Sequence, residues 1–122
     1  MIIRLFPFEF SVCKTRDFTG VDLDDEFCFI GKTDKERSVV CRTEKLPNDV
    51  IAREDGWRMF GVVGQMDFSL VGILSKLTTI LAEEKIPVFA LSTYDTDYIL
   101  VKKENAENAK TALIRAGHDV VE

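Results

Sequence analysis

The stretch Gly64-Gln-Met-Asp-Phe-Ser-Leu-Val-Gly-Ile-Leu74 concentrates the groups best spaced to hold a small molecule. An apolar run of Met59, Phe60, Val62 and Val63 stops at Gly64, and a polar turn follows. Leu70, Ile73, Leu74, Leu77, Ile80 and Leu81 then recur at helical spacing, so a helix starts at once. A helix start exposes unpaired amide donors at the positive end of its dipole, which seats a carboxylate or a phosphate. Residues 64–72 contain no arginine or lysine, so phosphoryl chemistry would lack its electrostatic clamp. A carboxylate fits better, held by the helix-start amides. Hydrogen bonds to charged groups contribute about 1.5–3 kcal/mol each, and three or four of them support roughly micromolar binding. The plainer alternative is a helix capped by Asp67 or Ser69 that only packs on its sheet. Spacing alone favours the plainer reading, but Gly72 is the odd residue there. Glycine in a first helical turn costs about 1 kcal/mol against alanine, which suggests close approach of a ligand or another backbone.

Other reactive side chains carry less. Asp95 and Asp97 flank Thr96 in a short turn, where Asp-x-Asp usually bonds its own backbone. Two carboxylates with no third nearby are too few for a divalent cation. His118, the one histidine, has no cysteine or serine beside it in sequence to activate. Cys13, Cys28 and Cys41 lack metal-ligand spacing and read as small, inert buried thiols. Trp57, Phe60 and Phe89 read as core or interface. No cofactor, no metal and no catalytic residue is expected.

These groups need a scaffold. Residues 2–14 read as one strand, irregular at Pro7, and Asp17–Glu26 as an acidic solvated loop. Residues 27–30 and 38–41 form two short strands joined as a hairpin by Gly31–Arg37. Asn48–Gly56 is polar and reads as a connection or a short helix. From Trp57 the pattern sharpens into a strand (57–63), a helix (69–84) and a strand (86–92). A turn (93–97), a strand (98–102), a helix (104–116) stopped at Gly117 and a last strand (118–121) follow. The order β-α-β-β-α-β is a split crossover unit of a ferredoxin-like sheet with both helices on one face. Val88, Phe89, Ala90 and Leu91 are apolar on both faces, so the opposite face must also be covered, by the N-terminal half, by a second copy, or by both.

The totals set bounds on partners. A chain of 122 residues with 46% hydrophobic and 30% charged residues suits one domain or two small modules sharing a core. The net charge of −5 argues against nucleic acid or an anionic membrane as partner. No apolar run approaches the roughly 20 residues of a membrane span, and no signal peptide is visible. Three widely spaced cysteines fit a reducing compartment, so a cytoplasmic protein is expected.

Several strings together resemble the small tandem ACT-domain proteins, whose modules are similar to those of the CASTOR arginine sensors and of aspartate kinase. They are Trp57-Arg58, Gly64-x-x-Asp-Phe-Ser-Leu-x-Gly-Ile-Leu74, Ile86-Pro-Val-Phe-Ala-x-Ser-Thr-Tyr-Asp-Thr-Asp-Tyr98 and Ala116-Gly-His118. The likeness covers nearly the whole chain, and Ser92–Tyr98 is its most specific part. It implies an α+β fold in which a ferredoxin-like ACT domain (57–122) follows a smaller, β-rich, degenerate ACT-like module (1–56). It also implies a non-catalytic regulatory protein that binds an amino acid between modules or subunits, forms a homodimer and acts on an effector protein in trans. Carried over by position, the ligand-binding residues are Met66, Asp67, Phe68, Ser69, Leu70, Val71, Gly72 and Ile73, with Ser92, Thr93 and Asp95 following. Two departures stand out: Gln65 where related chains tend to have proline, and Arg37 where an apolar residue is usual. An assembly module that binds nothing is the alternative.

Overall fold

The structure, a computed structural model, describes residues 1–64 and 72–122. The chain divides into two compact units, one of Met1–Pro7 with Arg58–Glu122 and one of Phe8–Trp57. The first seven residues, expected with the N-terminal module, thus belong with the helical unit. Pro7 explains the break. Without an N–H it cannot continue a ladder, and the single strand expected over 2–14 divides into β1 (Ile2–Leu5) and β2 (Phe10–Thr15).

The unit of residues 8–57 contains β2, β3 (Cys28–Lys32), β4 (Arg37–Arg42) and the first part of β5 (Val50–Val62). Its strands pair in the order β3-β4-β2-β5. Residues 48–56 correct the sequence reading, because Val50 onward is strand. Arg53 pairs with Cys13 and Glu54 with Val12, so hydrogen bonds to a partner distant in sequence override local polarity. Side chains 51–55 are exposed, which is why no apolar alternation marks them. Between Glu54 and Trp57 the strand takes one residue more than β2 does from Val12 to Phe10. This bulge holds Gly56 at φ 82°, where glycine avoids the Cβ clash. Asp55, beside it, accepts a hydrogen bond from the buried Ser11 hydroxyl at 2.7 Å.

Among the described residues this unit contains no α-helix. Phe18, Val21 and Leu46 come from loops and pack on Cys13, Val39 and Cys41 of the sheet. The loop carrying Phe18 and Val21 is pinned to β4 by an Arg42–Asp25 pair, whose side chains are 17% and 6% exposed. The Arg42 Nε donates to Asp25 at 3.1 Å. That hydrogen bond, more than any other influence, holds the Asp25 carboxyl below the usual carboxylate range.

The other unit has the expected β-α-β-β-α-β order: the end of β5, α1 (Ile73–Glu83), β6 (Phe89–Ser92), β7 (Asp97–Lys102), α2 (Ala106–Arg115) and β8 (Asp119–Val121). The α+β, ferredoxin-like class is therefore as read. One strand is added. β1 lies between β5 and β8, antiparallel to the first and parallel to the second, so the order becomes β6-β7-β5-β1-β8. Leu77 and Leu81 of α1 share one core with Ala106, Ala109 and Leu113 of α2 and with Ile3, Leu5, Phe60, Ile99 and Val101 of the sheet. Alternation places these sheet residues on one face, so both helices cover the same side. On the other face Met59 of β5 and Leu100 of β7 are 0% exposed, whereas Ile2 of β1 and Val121 of β8 are 48% and 46% exposed, so that side is covered over part of its width. Gly61 sits on that face under the rings of Phe6 and Tyr98. A Cβ there would stand 2.9 Å from the first and 3.0 Å from the second, so glycine is required.

Candidate functional site

Of the residues expected to contact a ligand, Met66, Asp67, Phe68, Ser69, Leu70 and Val71 lie outside the described residues, as does the expected helix cap at Asp67 or Ser69. Gly72 and Ile73 are placed. Gly72 is exposed, has φ 78°, and is the last residue before α1. Its glycine identity follows from this left-handed backbone rather than from crowding, since a Cβ there would meet nothing within 4 Å. Its carbonyl accepts from the Lys76 amide at 2.8 Å and so begins the helical ladder. Gly72 offers no side-chain acceptor to the first-turn amides. Ile73 faces inward, against the helical core.

Ser92, Thr93 and Asp95 lie in the hairpin between β6 and β7, all exposed. The Thr93 amide donates to the Thr96 carbonyl at 2.9 Å, and the Thr93 hydroxyl donates to the same oxygen at 3.2 Å. The Ser92 hydroxyl donates to Asp97 at 2.6 Å across the ladder. Asp97 is only 9% exposed. It is a structural acceptor, with its oxygen committed to the hairpin. Asp95 and Asp97 thus differ in setting, one exposed and the other buried in the hairpin.

Sequence reading missed Thr96. Its hydroxyl donates to the Val62 carbonyl at 3.1 Å and ties the hairpin to the end of β5. Val62, Leu77 and Asp97 line one cavity beneath this junction. The end of β5, α1 and the β6–β7 hairpin thus meet at one end of the sheet. The cavity measures about 10 Å³, room for about one water molecule and not for an amino acid. Gly72, Ser92, Thr93 and Asp95 are exposed on the outer side. The local signal for Thr96 was its place as the last residue of a tight turn, a position that repeats at Glu36 in the β3–β4 hairpin.

His118 follows Gly117 at the end of α2, its Nδ1 is buried without a hydrogen-bond partner among the described residues, and burial lowers its pKa. The thiols of Cys13, Cys28 and Cys41 are free and on one sheet, and burial pushes Cys41 up to about 12. Among the described residues no three His, Cys, Asp or Glu side chains are grouped to hold a metal ion, and no helix is long and apolar enough to cross a membrane.

Comparison with known proteins extends this geometry. An Agobacterium tumefaciens protein of known structure is 27% identical and superposes with a TM-score of 0.86, over 98% of this chain and 91% of that one. A Vibrio cholerae protein of unknown function superposes at 0.68 with 21% identity, over 91% of this chain and 85% of its own. The ligand-free regulatory subunit of Thermus thermophilus aspartate kinase shares the fold at 11% identity, with a TM-score of 0.64 over 94% of this chain and 96% of that subunit. No curated protein matches the chain. ACT domains are regulatory ligand-binding modules rather than catalytic ones. The ACT domain model matches residues 52–115, more than half of the sequence, and the chain belongs to the ACT domain family.

Proposed function

We propose that this protein is a non-catalytic cytoplasmic regulator that binds a free amino acid and acts, as a dimer, on a partner protein in trans. The observation that carries this reading is the meeting of three segments at one end of the helical unit. The Thr96–Val62 hydrogen bond holds the hairpin to β5, and α1 begins there at the left-handed Gly72. The amides of that helix start take the carboxylate, with residues 66–71 completing the contact. Ser92, Thr93 and Asp95 supply hydroxyls and a negative charge for the ammonium or the side chain. A ligand that binds one arrangement of subunits better shifts the population towards it, and the partner reads the difference. The tandem, CASTOR-like form of this reading draws support from the strand order and hairpin turn that the two units share.

Thermal melts in the presence of each free amino acid test it. At ligand concentrations near a thousand times Kd, linkage adds about 4 kcal/mol of stability, which melting resolves easily. One amino acid should raise Tm at millimolar concentration; no shift with any of them rejects the reading. Gly72→Glu should abolish the shift without changing the oligomeric state. Gly72→Asn, which tolerates the left-handed backbone, should keep it.

A second reading, an assembly module without a ligand, is favoured by Ile2 and Val121, which are 48% and 46% exposed on the adjacent strands β1 and β8. Under that reading Ile2→Asp dissociates the oligomer in sedimentation, and no amino acid alters the melt.

A further inference from the structure

Two cysteines stand directly opposite each other in the β3–β4 hairpin, Cys28 across from Cys41. The turn identifies the kind of pair they form. The Thr33 amide donates to the Glu36 carbonyl at 3.0 Å, so residues 33 and 36 are a hydrogen-bonded pair. Bonded and open pairs alternate from there, which makes 32–37, 30–39 and 28–41 open. The β6–β7 hairpin obeys the same rule. Thr93 and Thr96 are bonded, Ser92 and Asp97 next to them are open, and those two side chains meet at 2.6 Å. In open pairs the Cα atoms are about 4.5 Å apart, inside the roughly 4.4–6.8 Å that a disulfide spans. Cys13 lies on the same face of β2, diagonal to Cys41, because Ser11 is the residue that faces Cys41. Cys28 is half-buried, while Cys13 and Cys41 are 2% and 4% exposed.

We propose that this hairpin is a thiol modification site, where Cys28 and Cys41 close a cross-strand disulfide on meeting a small-molecule disulfide. The Cys28 thiolate, the accessible one, attacks one sulfur of the oxidant. One small thiol leaves, and a mixed disulfide remains on Cys28. The Cys41 thiolate then attacks the Cys28 Sγ, expels the second small thiol and completes the internal bond. The protein gives up two electrons and two protons, and the oxidant leaves as two thiols. Burial holds the thiols protonated, Cys41 up to about 12, so base governs the rate. The reaction is slow near neutrality and quickens about tenfold for each unit of pH. The bond fastens β3, which pairs only with β4 among the described residues, to the rest of its sheet.

The test treats the full chain with oxidised glutathione at mildly alkaline pH, traps free thiols by alkylation and maps unreduced peptides by mass spectrometry. Cys13→Ser and Cys28→Ser are run in parallel. The wild type and Cys13→Ser should each lose two hydrogens and yield a peptide joining residues 28 and 41. Oxidised wild type should melt higher and return to its original Tm on reduction, and Cys28→Ser should form no internal bond. A stable glutathione adduct on Cys28 without an internal bond overturns the proposal. So do a linked peptide containing Cys13, or thiols that stay unmodified in the folded protein.

Discussion

The unit of residues 8–57 and the unit of residues 1–7 with 58–122 run similar strand orders and cover them by different means. One is ordered β3-β4-β2-β5; the other is β6-β7-β5-β8 with β1 inserted before β8. Each has a tight hairpin in which a threonine amide donates to the residue three further on, Thr33 to Glu36 and Thr93 to Thr96. Each second hairpin strand runs into a 3-10 turn, Thr43–Lys45 and Lys103–Asn105. Beyond that turn the two diverge. The second continues into α2, whereas the first reaches Pro47 two residues later and stays without a helix. Helices let the second unit bury leucine and alanine side chains by periodicity alone. The first relies on three loop residues and an ion pair to close its core. In the first unit, loops fastened by polar bonds thus close the core that helices close in the second.

The contrast can be broken most directly from the helical side. Leu77→Ala empties a position that is 2% exposed and should cost about 2–5 kcal/mol in a denaturant titration. A cost below about 1 kcal/mol would mean that α1 does not close its core as described.

The loop-covered unit should respond to pH as well as to substitution. Asp25→Asn weakens the bond that pins the loop and should lower the urea midpoint at neutral pH, by less than Leu77→Ala does. The folded Asp25 carboxyl holds its proton less tightly than the unfolded one, because the Arg42 hydrogen bond favours its charge. Its contribution is therefore complete above the unfolded value and fades as pH falls through the lowered folded value. The gap between wild type and Asp25→Asn should accordingly narrow below about pH 4. A gap independent of pH would show that Phe18 and Val21 hold the loop without the charge.

The smallest expected effect sharpens the helical side. Both helices end alike: Ile86 and Lys85 donate to Leu81 and Ala82, just as His118 and Gly117 donate to Leu113 and Ile114. The left-handed residue is Gly117 in one case and Lys85, at φ 59°, in the other. Lys85→Gly should stabilise the protein by about 0.5–1 kcal/mol, measured by thermal melting.

The legibility of the two units differed for the same reason. Leu77, Leu81 and Leu113 announce their helices because one face of each is dry and the other wet. At the candidate site the hairpin was readable from Ser92–Asp97, since turns carry local chemistry; Gly72 was read inside the first helical turn, but it stands before α1 in the left-handed region. Thr96 as a tie to β5 was not, because its partner, the Val62 carbonyl, lies far back in the chain. Nor did Asp95 and Asp97 differ in sequence, although one is exposed and the other buried. Val50–Glu54 look like a connection because their side chains are wet, while their backbone is paired with β2.

By itself the amino-acid sequence determined the order of strands and helices from Trp57 onward, the stop at Gly117 and the hairpin at Ser92–Asp97. Each of these depends on neighbours within a few residues, where periodicity and turn preferences act. Only the tertiary structure decided that β1 lies between β5 and β8, that residues 50–56 are strand, and that Cys28 faces Cys41. Those outcomes depend on which distant backbone supplies the hydrogen bonds, a choice that no local window of side chains encodes.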